Sequence, residues 1–340
     1  MFRTLLLIIV FSLMTFPSWS KDSVPHGQFL GAKETVYPGW FKQSFLDFAE
    51  DVAEAAEQGR RVMMIFHQDN CPYCNVLVER NLAQKDIEQT LKENFDVIAI
   101  NMWGDREVAT VDGEALIEKS LAATLRVQFT PTIIVLNEQG GLALRLNGYI
   151  PPAQFKLALE YAKTHDSPDE YQKFLAANGA PSSDGELVAS DLFNNQPLSL
   201  PTKHEKPVAL FFEQRDCPAC QTLHETALAD AETKPLLDGF DRYRVDMWSD
   251  SDKVKLDGKQ LTARELAGRM KVKYAPTMVL FDASGKEVIR SEAMFKTFHT
   301  QSMLDYVLSS AYAQEPSFQR YLSERAEAIR ATGKDVDIWK

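Results

Sequence analysis

The chain contains two copies of one sequence pattern, and each copy carries a Cys-Pro-x-Cys motif. The motifs are Cys71-Pro72-Tyr73-Cys74 and Cys217-Pro218-Ala219-Cys220, and together they use all four cysteines. The first cysteines of the two motifs are 217 − 71 = 146 positions apart. Three other pairs of residues recur at an offset of 145: Met102-Trp103 and Met247-Trp248, Asp112-Gly113 and Asp257-Gly258, and Pro131-Thr132 and Pro276-Thr277. A duplicated unit in 340 residues predicts two similar domains of ordinary size, each with its own core.

The composition is that of a globular protein, with 45% hydrophobic and 25% charged residues. The net charge is −11 and the sequence has no basic run, so a nucleic-acid partner is not expected. Acidity of this degree favours solubility, but it does not identify a substrate.

Residues 1–20 have the pattern of a cleavable signal peptide. Arg3 supplies the positive charge, Leu5 to Phe16 form the apolar region, and Ser18-Trp19-Ser20 offers small residues for cleavage. The alternative is an uncleaved membrane anchor, but about a dozen apolar residues are short for a span of roughly twenty. We therefore expect a periplasmic or otherwise exported protein in an oxidising compartment, with a net charge of −12 because Arg3 is the only charged residue removed.

Both units show alternating strand and helix patterns that end in a hairpin and a helix. In the first unit, apolar residues at helical spacing from Phe41 through Phe45 to Ala55 predict an amphipathic helix that ends at Gly59. The apolar run Arg61 to Phe66 predicts a strand buried on both faces, and it leads into Cys71. The remaining predicted elements are a helix from Cys71 past Leu77, strands at Phe95 to Asn101, Thr132 to Leu136 and Leu142 to Leu146, and helices at Glu114 to Leu125 and Pro152 to Lys163.

The second unit repeats this order. Its predicted elements are Val208 to Phe212, Cys217 to Ala229, Phe240 to Asp246, Thr262 to Met270, Thr277 to Phe281, Glu287 to Arg290 and Thr300 to Ala313. The fold class is therefore α/β, with two tandem domains that are each a mixed sheet flanked by helices. The predicted bounds are residues 24–163 and 187–313 for the domains, 164–186 for a linker with a short helix, and 314–340 for a C-terminal helical tail.

The position of the cysteines favours redox chemistry. A thiol at the first turn of a helix is stabilised as thiolate by the positive end of the helix dipole, and the second thiol, three positions on, can close a disulfide with it. Pro72 and Pro218 suit that first turn because its N–H groups have no partner within the helix.

These motifs resemble the thioredoxin superfamily, and more closely periplasmic proteins of the SoxW type, present here twice over most of the mature chain. The resemblance implies that Cys71 and Cys217 are nucleophiles and that Cys74 and Cys220 resolve the mixed disulfide. It also implies a cis Pro131 and a cis Pro276 facing the cysteines, and no cofactor besides the cysteine pairs.

Substrate docking is expected beside the prolines. The backbone of Thr130 and Ala275, which precede Pro131 and Pro276, is placed by the resemblance where an extended segment can pair with it. Asn147-Gly148-Tyr149 resembles the glycine at the family's active-site rim, whereas Ser291-Glu292-Ala293 lacks it. Trp103 and Trp248 are further docking candidates, although packing is the more common role for aromatic residues at a strand end.

The buried aspartate that thioredoxins carry six residues before the first cysteine is replaced by Ile65 and Phe211. His67 and Glu213, four residues before each motif, are the nearby candidates for tuning the thiol pKa values. A protonated His67 lowers the thiol pKa of domain 1, and an ionised Glu213 raises that of domain 2. The alternative is that both side chains turn toward solvent at the strand end.

Other chemistries have weaker support. Two cysteine pairs suit a structural zinc site, but each pair begins the helix of its own domain. His224 lies one turn after Cys220, where an exposed helix residue is expected rather than a metal ligand. Asn75 and Gln221 stand where covalent haem attachment needs histidine, and no Ser/His/Asp hydrolase motif is present. Cys-Pro-Tyr-Cys also matches the glutaredoxin motif, which leaves glutathione as a minor alternative.

The sequence thus predicts an exported thiol–disulfide oxidoreductase with two exposed active sites. Its expected partners are disulfide-bearing exported proteins and a membrane thiol carrier as electron donor. A disulfide isomerase or oxidant has the same residues and differs in reduction potential. A non-catalytic binding or chaperone module with structural disulfides is the alternative from another class.

Overall fold

The computed structural model describes residues 25–179, 185–194, 198–200, 203–256, 258–293 and 295–340. The predicted signal peptide, residues 1–20, lies outside the described residues. Within the described ranges, no helix has the length and apolar character needed to cross a membrane.

Domain 1 is built on a four-stranded mixed sheet in the order β3-β2-β6-β7. The strands of this half are β1 (Phe29–Leu30), β2 (Arg61–His67), β3 (Phe95–Asn101), β4 (Glu107–Ala109), β5 (Ala115–Ile117), β6 (Thr132–Leu136) and β7 (Leu142–Asn147), and its helices are α1 (Phe48–Glu57), α2 (Pro72–Val76), α3 (Lys85–Asn94), α4 (Glu118–Thr124), α5 (Pro152–Ala162) and α6 (Tyr171–Asn178). β2 and β3 are parallel, and β6 is antiparallel to β2 and β7.

The alternation of β2 explains the layers of domain 1. Met64 and Phe66 pack on one face with α1 and α4. Met63 and Ile65 pack on the other face with α2, α3 and α5. Every residue from Arg61 to Phe66 is buried, as expected for a strand covered on both faces.

Domain 2 repeats the sheet in the order β10-β9-β13-β14. The strands of this half are β8 (Ser199–Leu200), β9 (Val208–Glu213), β10 (Asp241–Asp246), β11 (Lys253–Leu256), β12 (Lys259–Thr262), β13 (Thr277–Phe281), β14 (Glu287–Ser291) and β15 (Val336–Asp337), and its helices are α7 (Pro218–Glu225), α8 (Thr233–Leu237), α9 (Ala263–Arg269), α10 (Thr297–Leu308) and α11 (Phe318–Arg330). β9 is parallel to β10 and antiparallel to β13. The predicted α/β class with two mixed sheets is confirmed.

Two predicted helices of domain 1 were wrong at their starts. α1 begins only at Phe48, because the Asp47 side chain accepts hydrogen bonds from the N–H groups of Ala49 and Glu50 and caps the helix. Phe45, which was assigned to the helix, is 98% exposed. The segment predicted as one helix from Glu114 contains β5, which pairs with β4 in a hairpin, and α4 starts after it at Glu118.

The C-terminal residues fold back over both domains. α11 places Phe318 against Tyr306 of α10, with ring centroids 5.3 Å apart, and against Phe129 of domain 1 at 5.5 Å. β15 then pairs in parallel with β1 at the other end of the chain. The C-terminal residues therefore contribute to the surroundings of domain 1.

Candidate active sites

Each Cys-Pro-x-Cys motif lies at the turn between a central strand and a helix. Cys71 is the N-cap of α2, and its Sγ accepts a hydrogen bond from the Cys74 N–H at 3.1 Å. Cys217 caps α7 in the same way at 3.0 Å. Both pairs are disulfides, with S–S distances of 2.13 and 2.11 Å. The prolines occupy the first helical turn, as the sequence indicated.

The two prolines expected near the cysteines lie in matching loops. The Thr130–Pro131 and Ala275–Pro276 peptide bonds are cis. Cys71 Sγ lies 3.7 Å from the Thr130 carbonyl oxygen and 3.3 Å from Thr130 Oγ1. Cys217 Sγ lies 3.9 Å from the Ala275 carbonyl oxygen. The fold thus brings each cysteine pair together with its proline loop in two equivalent sites.

The motif of domain 1 is covered by another part of the chain. Tyr73 is only 5% exposed, and its ring packs edge-on against Phe295, His299 and Trp339 at centroid distances of 5.8, 5.1 and 5.1 Å. Its hydroxyl accepts a hydrogen bond from the Lys296 N–H at 2.9 Å. The prediction of two exposed sites was therefore wrong for domain 1, because segment 295–299 and the C-terminal residues close over it.

The C-terminal helix completes this cover. Gln319 accepts a hydrogen bond from the Gln68 amide at 2.9 Å and donates one to the Gln128 carbonyl at 3.0 Å. Phe129, next to Thr130, packs against Phe295 at 5.0 Å. We use "the cover" for residues 295–299 and 318–339. The cover thus binds both loops that flank the domain 1 site, the one before Cys71 and the one before Pro131.

The two domains meet through equivalent rim segments. Asn147 Nδ2 donates to Glu292 Oε2 at 2.7 Å, and these residues are related by the 145-residue offset of the repeat. A Cβ at Gly148 would lie 2.7 Å from the Cβ of Ala293, the residue equivalent to it. The rim of domain 1 expected to receive a substrate is therefore filled by domain 2, in a pseudo-symmetric contact.

The motif of domain 2 is more open. Pro218 is exposed and Ala219 is half-buried, whereas their counterparts Pro72 and Tyr73 are buried. Among the described residues of the segment before domain 2, the Glu186 carbonyl accepts a hydrogen bond from the Asp216 N–H at 3.1 Å, and Asp216 itself is exposed. In both domains the first cysteine is more exposed than the second, at 2% against 0% and 6% against 0%.

Trp103 and Trp248 have matching contacts. Trp103 Nε1 donates to Gln68 Oε1 at 2.9 Å, and Trp248 Nε1 donates to Gln214 Oε1 at 3.0 Å. Each indole is therefore tied to the loop just before its motif. Trp103 is 37% exposed and has the Arg320 guanidinium 5.6 Å from its ring, while Trp248 is half-buried against the domain 2 core.

His67 and Glu213, the two tuning candidates, have different surroundings. The His67 ring packs 4.8 Å from Tyr37, and burial lowers its pKa below 6.5. It is therefore mostly neutral at pH 7, which removes the positive charge that the prediction gave it. Glu213 is fully buried, so the alternative that it turns toward solvent was wrong.

The surroundings of His224 differ from those that the sequence predicted. It was expected to be exposed, but its Nε2 lies 2.7 Å from Glu213 Oε1 in a buried hydrogen bond, and Arg244 Nη1 lies 3.5 Å from Glu213 Oε2. The Arg244 guanidinium offsets the charge of the carboxylate that was expected to raise the thiol pKa. The available signal was the i, i+4 spacing of Cys220 and His224, which places both on one helix face, with Val78 at the equivalent position of domain 1.

All four cysteines are taken up in the two disulfides. Across the part of the chain that the structure describes, no group of three or more His, Cys, Asp or Glu side chains is arranged to hold a metal ion.

Comparison with known proteins identifies the fold. The thioredoxin-like domain family matches residues 48–163 and 195–308. The solved structures to which the chain is similar include the following three, each of which covers about two fifths of this chain. A thioredoxin-fold protein from Helicobacter pylori has 24% identity, with 40% of this chain and 94% of that chain covered and a TM-score of 0.30. A thioredoxin from Thermus thermophilus has 24% identity, with 41% of this chain and 88% of that chain covered and a TM-score of 0.28. A disulphide isomerase from Xylella fastidiosa Temecula1 has 14% identity, with 39% of this chain and 94% of that chain covered and a TM-score of 0.26.

Among curated proteins, none matches the chain significantly. The family match covers more than half of the residues and includes both Cys-Pro-x-Cys motifs. The chain therefore belongs to the thioredoxin-like domain family and carries that domain twice.

Proposed function

We propose that the chain is an exported thiol–disulfide oxidoreductase of the SoxW type that reduces disulfides in other exported proteins. One observation carries this proposal: in both domains a Cys-Pro-x-Cys disulfide caps a helix N-terminus and lies against the loop of a cis proline. Helix N-termini stabilise thiolate, which is the reactive form in disulfide exchange.

Domain 2 is the domain that meets protein substrates. Its nucleophile Cys217 follows the exposed Asp216 and precedes the exposed Pro218, so a substrate segment can approach the sulfur. The Cys217 thiolate attacks a substrate disulfide and forms a mixed disulfide, and one substrate thiolate leaves. Cys220 then attacks Cys217 Sγ, which releases the second substrate thiolate and restores the Cys217–Cys220 disulfide.

Docking residues and the electron donor complete the proposal. Ala275, Pro276 and Trp248 are the proposed docking residues for Cys217, and Thr130, Pro131 and Trp103 are their counterparts in domain 1. A membrane thiol carrier reduces the Cys217–Cys220 pair after each cycle. Two electrons pass from the carrier to a cysteine pair and from that pair to the substrate disulfide.

The test uses variants that keep one cysteine pair each: Cys71→Ser with Cys74→Ser, and Cys217→Ser with Cys220→Ser. The rate of insulin disulfide reduction by a dithiol is measured for each, and the reduction potential of each pair is determined by thiol trapping in graded redox buffers. We expect a potential near about −270 mV, while values from about −180 to −120 mV indicate an isomerase or oxidant. Pairs that never equilibrate with the buffer identify structural bridges and overturn the proposal.

A further inference from the structure

The cover leaves a cavity of about 210 Å³ directly over Cys71. Cys71, Pro72 and Tyr73 form one side of it, and Phe295 and His299 of the cover form the other. Four of its lining residues, Phe29, Asp69, Asn70 and Ser323, are exposed, which locates its mouth. The first cysteine of domain 1 is therefore reached through a small chamber and not from an open groove.

The size of this chamber excludes an extended protein segment. Clefts that hold drug-sized ligands measure roughly 300–1,000 Å³, so 210 Å³ suits a smaller molecule. Access along the groove is also blocked: Ala293 fills the rim at Gly148, and Phe318 covers Phe129 beside the proline loop. A substrate loop of a protein needs that groove, whereas a small molecule needs only the mouth.

The lining also selects by charge. Among the described lining residues, Asp69 is the one charged group at neutral pH, because burial lowers the pKa of His299 to about 4. Neutral hydrogen-bonding groups, the amides of Gln68 and Gln319, lie further in. The equivalent of Asp69 in domain 2 is Arg215, 146 positions later, so the two sites differ in charge at this position. A carboxylate at the mouth attracts a cation and repels an anion.

We propose that the Cys71–Cys74 pair of domain 1 exchanges with a low-molecular-weight disulfide whose substituents carry amino groups. The proposal rests on the thiol chemistry proposed above and gives domain 1 a substrate class different from that of domain 2. The two repeats then divide the work: domain 2 acts on protein disulfides and domain 1 on small ones.

The exchange balances within the pair and the ligand. The Cys71 thiolate attacks one sulfur of the small disulfide, the ligand S–S bond breaks, and the first ligand thiolate leaves and takes a proton from water. Cys74, having lost its proton to solvent, attacks Cys71 Sγ and releases the second ligand thiolate. Two electrons pass to the ligand, the Cys71–Cys74 bond forms, and a dithiol donor reduces it again.

The experiment uses the full chain with Cys217→Ser and Cys220→Ser, reduced with dithiothreitol that is then removed. Its single-turnover oxidation by cystamine and by insulin is followed by alkylating and counting the thiols that remain on the chain. The ratio of the two rates is compared with that of the Cys71→Ser, Cys74→Ser variant. We expect this ratio to be about tenfold or more larger for domain 1, with two cysteamine thiols released per pair, because access governs exchange rates.

The outcomes separate the two proposals. Equal ratios, or oxidation of domain 1 by insulin as fast as that of domain 2, overturn the small-disulfide assignment while leaving the oxidoreductase in place. Failure of both pairs to react with either disulfide overturns the proposed function itself.

A second variant tests the charge at the mouth. Asp69→Asn is expected to slow oxidation of domain 1 by cystamine by about threefold relative to oxidation by the neutral hydroxyethyl disulfide, since an exposed carboxylate concentrates a cationic ligand. Asp105→Asn, which removes an exposed carboxylate that does not line the cavity, is the matched control. An unchanged ratio in Asp69→Asn contradicts the preference for amino groups.

Discussion

The two domains have the same sheet order, the same motif position and the same cis-proline loop, yet their cysteine pairs have opposite surroundings. In domain 1 the second motif position is Tyr73, buried in an aromatic cluster of the cover, while in domain 2 it is Ala219 beside an exposed Pro218. A duplicated site thus acquires a different accessibility from the chain segments that pack on it.

Tyr73 is the anchor of this difference. Fully burying a large apolar side chain stabilises by about 1.5–3 kcal/mol, and each favourable aromatic pair adds about 0.5–1.5 kcal/mol. Ala219 lacks the ring and the hydroxyl, so it has no equivalent way to hold a cover. One motif position therefore accounts for much of the contrast between the sites.

The largest expected contrast is catalytic. Cys217→Ser should lower insulin disulfide reduction by about 100-fold or more, because it removes the accessible nucleophile, whereas Cys71→Ser should change it by about twofold or less. The measurement is the dithiol-driven rate with equal amounts of folded protein. Comparable losses in both variants would show that the cover does not separate the domains. Cys220→Ser should in addition trap mixed disulfides with exported proteins.

The second contrast is the anchor itself. Tyr73→Ala gives domain 1 the Pro-Ala motif of domain 2 and should destabilise the folded chain by roughly 3 kcal/mol, as loss of a buried aromatic side chain does. In the Cys217→Ser, Cys220→Ser background it should also raise the rate at which insulin oxidises domain 1 by about tenfold, because the cover is loosened. Ala219→Tyr is the matched control and should leave domain 1 unchanged. No increase in that rate after Tyr73→Ala would place the barrier elsewhere.

The third contrast is the pseudo-symmetric rim. Gly148 has a φ of +88°, and an added Cβ would meet Ala293 at 2.7 Å. Gly148→Ala should therefore destabilise the chain by about 1–3 kcal/mol more than Gly113→Ala, which has a φ of +80° but open space around it. The free energies of unfolding in urea are compared for the two variants. Their difference gives the cost of the contact with Ala293, because both variants share the strain of a positive φ. Equal costs would show that the rim contact adds nothing to stability.

The smallest expected effect is a pH dependence of the cover. The pKa of His299 is lowered from 6.5 to about 4 by burial, so the unfolded chain binds its proton more readily. The stability that the neutral ring contributes is complete above pH 6.5 and is lost as the pH falls toward 4. We expect acidification from pH 7 to about 5.5 to lower the unfolding free energy by about 1 kcal/mol more in the native chain than in His299→Phe. Identical pH profiles would exclude His299 as the cause.

Local sequence signals predicted most of the scaffold. The bounds of the strands Thr132–Leu136 and Thr277–Phe281 were predicted to the residue, because a proline precedes each and a polar turn follows. The helix starts at Pro72 and Pro218 were likewise encoded in the motif, since proline is favoured at the first helical turn. Errors arose where two short-range signals disagreed. The apolar spacing from Phe41 predicted an earlier helix start, but the capping hydrogen bonds of Asp47 start α1 at Phe48.

The sequence by itself determined that this chain is a duplicated redox-type fold with two equivalent cysteine pairs, because strand patterns, helix caps and motif spacing act within a few residues. The tertiary structure alone decided which pair is accessible. The bond from Lys296 to Tyr73 joins residues 223 positions apart, and that from Gln68 to Gln319 joins residues 251 positions apart. No local pattern specifies such contacts, because they depend on how two finished domains and a returning helix pack together. The burial of Glu213 against His224 has the same origin, since a strand end and a helix face meet only after folding.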